Sequence, residues 1–332
     1  MSDLLLVGDV GGTNVRLRVV RRDDTKAAAM MEETYGDKKP IVEALADFIG
    51  KLSDPVVACC LGVAGRVVDH DVRMTNRPGE TITNEAVAEK LGLPPGRVTL
   101  VNDMVAHISG VDLCETVQLR GGKSEGDVEG IVMPGTGLGT GFRVMTPGGW
   151  FPVPSEGGHL DFGPPNASLD FVRDAFQDLL EIPLDGRLSW EQVCSGPALP
   201  MLYAVVTDPD APTSVRRPEP MDVTSAASGS EVEGLDSIAA REAVRLFLHL
   251  VGARAGNLLL DTLATRRMIF GGGILNRLYD HYADLVTRLL AESFDATGPS
   301  ALHDTLANTP LVLLRSDDSG IIGAAALARS LI

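Results

Sequence analysis

The residues of this chain best suited to chemistry lie in short glycine-rich stretches. The first reads Gly8-Asp9-Val10-Gly11-Gly12-Thr13-Asn14-Val15-Arg16. Glycines let a backbone turn tightly and approach a ligand, presenting N–H groups to phosphate oxygens. A carboxylate facing a phosphate is repulsive unless a divalent cation lies between them, so Asp9 points to a Mg²⁺-nucleotide site. A plain hairpin turn with a solvated aspartate is the competing reading. Gly135-Thr136-Gly137-Leu138-Gly139-Thr140-Gly141 offers a second array of close-approach amides with two hydroxyls. Alone it reads as a turn; paired with the first loop it reads as the other jaw of a phosphate clamp. Gly271-Gly272-Gly273, between a strand and a helix, is a third candidate, where helix N-terminal amides suit a phosphate or an adenosine moiety.

Other stretches carry acid and imidazole. Asn102-Asp103 follows a buried strand, and ligands of α/β sheets collect at the carboxyl ends of strands. Asp103 suits a general base and Asn102 a hydrogen-bonding partner, although an Asn-Asp pair is also common turn chemistry. Ser155-Glu156-Gly157-Gly158-His159-Leu160-Asp161 suits the vicinal hydroxyls of a sugar, since a carboxylate accepts bidentately and neutral imidazole both donates and accepts. A metal site ranks below that reading because no further histidine or cysteine stands nearby, and a capped turn is the structural alternative. Glu191, early in a short helix, reads as an acid favoured by the helix dipole. Gly122-Lys123-Ser124 imitates the end of a P-loop, but Val117 stands where that motif needs glycine and acids follow instead of an apolar helix. Gly8-Asp9-Val10-Gly11 does not supply a dinucleotide fingerprint either.

Strands and helices alternate around these residues, which predicts an α/β fold. Leu4–Val7 is a buried strand entering the first loop and Val15–Val20 a second strand leaving it, so the chain opens on a hairpin. A helix over Ile41–Leu52, a strand over Pro55–Val63, a helix capped by Thr83 or Asn84 and ending near Gly92, and a strand over Val98–Val101 follow. Gly130–Met133, the second glycine loop and Phe142–Met145 then repeat the opening hairpin, which argues for two related halves around a cleft. Helices are expected at Leu169–Leu180, Asp236–Leu263, Asn276–Glu292 and Gly320–Leu331, with strands at Arg267–Phe270 and Leu311–Leu314. Thr207–Gly234, rich in Pro, Ser and acids, reads as a surface excursion with limited helix.

At 332 residues with 44% hydrophobic content, the chain has ample material for a core and for two domains. Its net charge of −16 lacks the electrostatic footprint of a nucleic-acid or anionic-membrane binder. No uninterrupted apolar run approaches a membrane span, and the N-terminus lacks a signal peptide's basic region. Four cysteines form no metal or redox pair, as expected of a reduced cytoplasmic protein.

Taken in order, Leu6-Val-Gly-Asp-Val-Gly-Gly-Thr-Asn14-x-Arg16, Thr75-Asn76, Val101-Asn-Asp103, Gly135-Thr-Gly-Leu-Gly139, Glu156-Gly-Gly-His159, Glu191-x-Val-x-Ser-Gly-Pro197, Gly271-Gly-Gly-Ile274 and Gly320-x-x-Gly323 resemble the bacterial-type glucokinase family of the actin, hexokinase and chaperone ATPase superfamily. The resemblance implies a two-domain actin/hexokinase-like (ribonuclease H-like) duplicated α/β fold with a central cleft. It implies a smaller discontinuous domain, 1–110 plus about 316–332, and a larger one, 111–315. It further implies transfer of the γ-phosphoryl of ATP to the 6-hydroxyl of glucose, the first step of glycolytic glucose use. Asp103 would be the base; Asn76, Asn102, Glu156, His159 and Glu191 would hold sugar hydroxyls. Asp9, Gly11, Gly12, Thr13 and Asn14 would face phosphates and Mg²⁺, with Asp9 toward the metal. Gly135, Thr136, Gly137 and Gly139 would form the second phosphate loop, and Gly271, Gly272 and Gly273 would lie near adenosine. Glucose and ATP are the implied partners, and a homodimer is allowed without being required.

Three features depart from the family pattern. Pro134 stiffens the entry to the second loop, Ser155 replaces the usual glycine and would be strained at a positive φ, and Thr207–Gly234 matches less closely. The related sugar-kinase and repressor family carries a cysteine-rich zinc motif that this chain lacks, and the residues before Leu4 leave no room for a DNA-binding head. A kinase of another hexose or amino sugar, and a non-catalytic sugar sensor, are the alternative functions. Intact Asp9 and Asp103 argue against the sensor.

Overall fold

The computed structural model describes residues 3–12, 14–36, 39–68, 71–74, 80–183 and 185–332. Its contacts divide the chain into two compact units, one of residues 1–115, 150–154 and 316–332, the other of residues 116–149 and 155–315.

The first unit starts with β1 (Leu4–Val10), β2 (Asn14–Arg21), β3 (Met31–Gly36), α1 (Ile41–Ile49) and β4 (Ala58–Val63). It continues with β5 (Gly65–Val68), β6 (Asp71–Met74), β7 (Thr81–Thr83), α2 (Asn84–Leu91), β8 (Val98–Asn102) and α3 (Asp103–Gly110). Its main sheet has the order β3-β2-β1-β4-β8, antiparallel up to β1 and parallel from β1 to β8. Both faces are covered, which explains why β1 and β4 read as continuous apolar runs. Leu6, Cys59 and Leu61 join the core with α1, while Leu5, Val7, Ala58 and Cys60 pack with the C-terminal helix. As expected, Thr83 caps α2 by accepting from the Ala86 N–H, and Gly92 ends it in the left-handed conformation at φ 64°.

The second unit takes in β9 (Thr116–Arg120), β10 (Val128–Pro134), β11 (Leu138–Thr146) and the strand β12 (Gly149–Val153), most of which groups with the first unit. Then come α4 (Asp170–Leu179), α5 (Trp190–Cys194), α6 (Ala198–Thr207), α7 (Pro220–Ala227), α8 (Ser237–Thr262), β13 (Arg267–Phe270), α9 (Gly273–Asp295), α10 (His303–Asn308) and β14 (Leu311–Leu314). The chain ends in α11 (Ser319–Arg329), which belongs to the first unit. In the second sheet β11, β10, β13, β14 and β9 are neighbours in that order. An antiparallel hairpin followed by two parallel strands thus occurs in each unit: β2-β1-β4-β8 and β11-β10-β13-β14. The duplication read from the two glycine hairpins extends to whole sheets.

Helix α8 is 26 residues long and apolar enough to cross a membrane by length and composition, although no uninterrupted apolar run signals it. Of its most apolar window, 72% is buried inside the protein, where Phe247, Leu248, Leu250 and Val251 are core residues. Residues 207–234 also hold more structure than expected: α7 buries Val223, Ala226 and Ala227 against α8. Its Pro220 sits at the first helical position, where a missing N–H costs nothing.

Candidate active site

In the first unit the carboxyl ends of β1, β4 and β8 lie side by side, with Asp9 in register with Gly62 and Val63 with Asn102. Strand alternation places Asp9 on the same face as Leu5 and Val7. Arg16 is its direct cross-strand partner, with Nη2 3.5 Å from Asp9 Oδ2 and Nη1 2.7 Å from Asp318 Oδ1. Arg18 donates to the other Asp318 oxygen at 2.9 Å. Asp9 is therefore an oriented carboxylate rather than a solvated turn residue. The Gly11 N–H donates to Asn14 O at 2.9 Å and closes the three-residue loop, so this amide is spent inside the turn. Gly12 lies in that turn, Asn14 opens β2, and the expected contributions of Thr13 and Asn76 fall outside the described residues.

Asp103 is the first residue of α3, immediately beyond β8. Asn102 caps the helix: its Oδ1 accepts from Met104 N at 3.0 Å, while its Nδ2 donates to Gly65 O at 3.2 Å. At 5% exposure, Asn102 is a buried capping residue that keeps one N–H for another acceptor. Asp103 Oδ1 also accepts from Met104 N, at 2.8 Å, which fixes its carboxylate. Burial holds that carboxyl above the ordinary range; His107, one turn on, opposes the shift and the Asp9 carboxylate reinforces it.

The position of α3 is set by backbone contact. A Cβ at Gly62 would stand 2.8 Å from Ala106 Cβ, so α3 lies directly on β4. A Cβ at Gly323 would stand 1.7 Å from Ala106 O, and one at Gly110 2.4 Å from Ser319 O. Helices α3 and α11 thus cross through a glycine contact on each, and His107 Nδ1 lies 2.8 Å from Ser319 Oγ beside it. Gly323 was legible as part of a motif; its partner Gly110 was not, because nothing in the local sequence distinguishes it from a turn glycine.

In the second unit the loop of the β10–β11 hairpin is Gly135-Thr136-Gly137. Leu138 N donates to Glu191 Oε2 at 3.0 Å, and Gly196 N donates to Gly135 O at 2.7 Å. The Gly135 N–H turns inward to Gly137 O at 2.8 Å. This leaves the Thr136 and Gly137 amides without a protein partner among the described residues. Gly139 is paired with Met133 inside the hairpin.

Glu156 precedes a 3-10 turn, Gly157–His159, that packs on the same hairpin: a Cβ at Gly158 would stand 2.2 Å from Leu138 O. His159 lies between two acids, with Nδ1 3.7 Å from Glu191 Oε1 and Nε2 3.8 Å from Glu156 Oε2. Glu156 and His159 are 50% and 42% exposed, so this face is open, whereas Glu191 is 26% exposed at its edge. Glu191 lies in the first turn of α5, within the Ser189–Gln192 capping box, as its helix-start reading predicts, but its carboxylate reaches the glycine loop as well. The strain expected at Ser155-Glu156 is absent: Glu156 has φ −105°, and among the described residues the non-glycine ones at positive φ are Ala27, Glu181 and Leu263. Ser155 instead caps the turn, its Oγ accepting from Gly157 N at 3.0 Å.

Gly271 N continues the sheet to Val132 O, and Gly272 adopts φ 94° with no room for a Cβ, which would stand 2.5 Å from Pro134 O. Helix α9 begins at Gly273, three residues before the expected start, and the space beside that residue is open. Pro134 ends β10 opposite Leu138 and presses its carbonyl on Gly272, so two of the three glycine segments are in direct contact. The P-loop imitation is confirmed as a decoy: Lys123 N and Ser124 Oγ donate to Asn308 O and Arg266 O in a loop with no helix behind it.

One buried side chain escaped the sequence reading. Arg254, within α8, is 1% exposed and donates from Nη2 to Gly157 O at 3.1 Å, bracing the turn that carries Glu156 and His159. Its Nε and Nη1 have no hydrogen-bond partner among the described residues. An arginine in an apolar helical pattern ordinarily marks an exposed face, so only the fold reveals it.

The family model described as Glucokinase matches residues 6–331. Among curated relatives, a glucokinase of Nostoc sp. is 30% identical over 99% of this chain and 99% of its own length. Another, of Sinorhizobium fredii, is 30% identical over 98% of this chain and 92% of its own. Among solved structures, a glucokinase from Balamuthia mandrillaris in complex with glucose has a TM-score of 0.80 at 20% identity, covering 98% of this chain and 94% of that one. A ROK family glucokinase from Streptomyces griseus in complex with glucose and AMPPNP has a TM-score of 0.66 at 22% identity, covering 98% and 99%.

Proposed function

The chain belongs to the glucokinase family, and from that premise we propose that it transfers the γ-phosphoryl of ATP to the 6-hydroxyl of glucose, giving glucose 6-phosphate and ADP. The observation that carries this reading lies in the second unit. An acid–imidazole–acid group suited to vicinal hydroxyls stands directly on a glycine hairpin, two of whose amides have no protein partner among the described residues. A polyol site adjoining a phosphate site is what phosphoryl transfer to an alcohol requires.

Glu156, His159 and Glu191 hold the sugar hydroxyls, with the remaining Asn102 N–H and Asn76 as further partners. Asp103 accepts the proton of the 6-hydroxyl as its oxygen attacks the γ-phosphorus. A carboxyl held above its ordinary range is a stronger base, closer to the working pH at which a proton-transfer group is most effective. Thr136 and Gly137 donate to phosphate oxygens, Gly139 and Gly271–Gly273 let the nucleotide approach the backbone, and the α9 N-terminus favours its negative charge. Gly11, Gly12, Thr13 and Asn14 are assigned to the phosphates, with Asp9, in this proposal. Domain bounds of 1–110 with about 316–332, and 111–315, belong to the same proposal; the contact division differs in reaching 115 and in grouping 150–154 with the first unit.

The described residues contain no group of three His, Cys, Asp or Glu side chains able to cage a metal. Mg²⁺ carried by nucleotide needs one or two carboxylates and takes the rest of its shell from phosphates and water, and Asp9, oriented by Arg16, is such a carboxylate. Asp9 would hold it, and the ion would supply neutralisation of phosphate charge. A cytoplasmic location belongs to the same proposal, supported by four free cysteines. Purified protein assayed with Mg²⁺ across a panel of hexoses, amino sugars and phosphoryl donors tests the reading. Glucose with ATP is expected to give the highest kcat/KM. Preference for another acceptor, or sugar binding without turnover, refutes it in favour of a different kinase or a sensor.

A further inference from the structure

Glu191 has one carboxylate oxygen on each side of a boundary. Oε2 accepts from Leu138 N at 3.0 Å and lies 2.5 Å from where a Cβ of Gly137 would stand, so it fills the inner edge of the glycine loop. Oε1 faces His159 Nδ1 at 3.7 Å, among the hydroxyl-binding side chains. The segment carrying Glu191 is fixed to the same loop at a second point, where Gly196 N donates to Gly135 O at 2.7 Å. Helix α5 and the loop are therefore joined at two points, one of them a planar carboxylate whose other oxygen faces His159.

Resting on the reading above, we propose that Glu191 is the element through which sugar and nucleotide strengthen one another's binding. A hexose hydroxyl on Oε1 fixes the rotation of the carboxylate. That rotation fixes the Leu138 N–H and, with it, the turn that presents the Thr136 and Gly137 amides to phosphate. A nucleotide that orders the turn fixes Oε1 for the sugar in return, because coupling between binding sites is reciprocal.

The test is glucose affinity measured by calorimetry with and without a saturating nonhydrolysable ATP analogue and Mg²⁺, and the converse titration. Wild-type protein is expected to show equal coupling factors in both directions, about five-fold or more. In Glu191→Gln a single carbonyl oxygen can accept from the Leu138 N–H or from the sugar hydroxyl but not both, and the amide NH₂ can only donate, so the factor falls toward one even where both ligands still bind. Gly137→Ala alters only the phosphate loop, yet it displaces Glu191 and is expected to weaken glucose binding in the absence of nucleotide. An unchanged coupling factor in Glu191→Gln, or unchanged glucose affinity in folded Gly137→Ala, overturns the proposal. Wild-type protein that phosphorylates glucose with a coupling factor of one sinks the coupling alone; wild-type protein that does not bind glucose sinks the functional reading itself.

Discussion

Replacing Gly323 with alanine tests how the structure holds its base. The new Cβ would stand 1.7 Å from the Ala106 carbonyl oxygen, where ordinary contact begins at 3.4 Å. Both atoms adjoin backbone, so neither can swing away; α3 and α11 must separate by about 1.7 Å, the shortfall in that contact. Overpacking of this kind costs roughly 1–3 kcal/mol of stability. Helix α3 begins with Asp103, and a displacement of about 1 Å at a reacting group can cost on the order of 10² in rate. We therefore expect Gly323→Ala to remain folded with a lowered melting temperature and to lose about 10²-fold in kcat. Glucose KM should change less, since three of the proposed sugar ligands, Glu156, His159 and Glu191, belong to the other unit and Asn102 alone caps the displaced helix. Gly96→Ala is the control, because nothing lies within 4 Å of the added carbon. Steady-state kinetics and thermal melts of the three proteins decide the matter. A folded Gly323→Ala enzyme with kcat within two-fold of wild type would refute the claim that this helix crossing positions Asp103.

Two further outcomes follow from buried charge. Because the folded-state pKa of Asp103 is raised, the native protein retains a proton that the unfolded chain has released, so stability falls as pH climbs from about 4 through the raised value. Asp103→Asn should therefore gain melting temperature over wild type at pH 7 and lose that advantage near pH 3.5, while wild-type kcat declines on the acid side at a pH above the ordinary carboxylate range. A pH-independent stability difference would contradict this. Arg254→Met removes a guanidinium with two nitrogens lacking a hydrogen bond among the described residues and leaves the Gly157 carbonyl unbraced. It should raise glucose KM at little or no cost in thermal stability, since exchanging an imperfectly satisfied buried charge for an apolar chain of similar volume is often neutral; an altered ATP KM with normal glucose KM would be inconsistent with that role.

The regular elements with strong local signals were legible. Helix α8 spans Ser237–Thr262 against an expected Asp236–Leu263, and β13 and β14 have the expected bounds. Both glycine hairpins were legible because a short apolar run, a glycine turn and a second run specify a hairpin locally. Helix α3 escaped because its eight residues have little apolar periodicity and its cap, Asn102, reads equally as a turn. Helix α6 escaped for the opposite reason: Ala198–Val205 are all buried, so no face stands out, and Pro200 falls within it at the first turn. Strands β5, β6 and β7 are three to four residues each, too short to show a period. At the site, residue types announced their chemistry, but their mutual geometry did not. Glu191 meets Leu138 across 53 positions and Arg254 meets Gly157 across 97, contacts that only the packed fold creates.

The most direct measurement is the fate of bound substrates in Asp103→Asn. Equilibrium titration should give a glucose affinity close to wild type, and rapid-quench single turnover with saturating Mg²⁺-ATP should show glucose 6-phosphate formation slowed by about 10²–10⁴-fold. Formation within three-fold of the wild-type rate would mean that the proton of the attacking hydroxyl goes elsewhere, and that Asp103 is only the first residue of a helix.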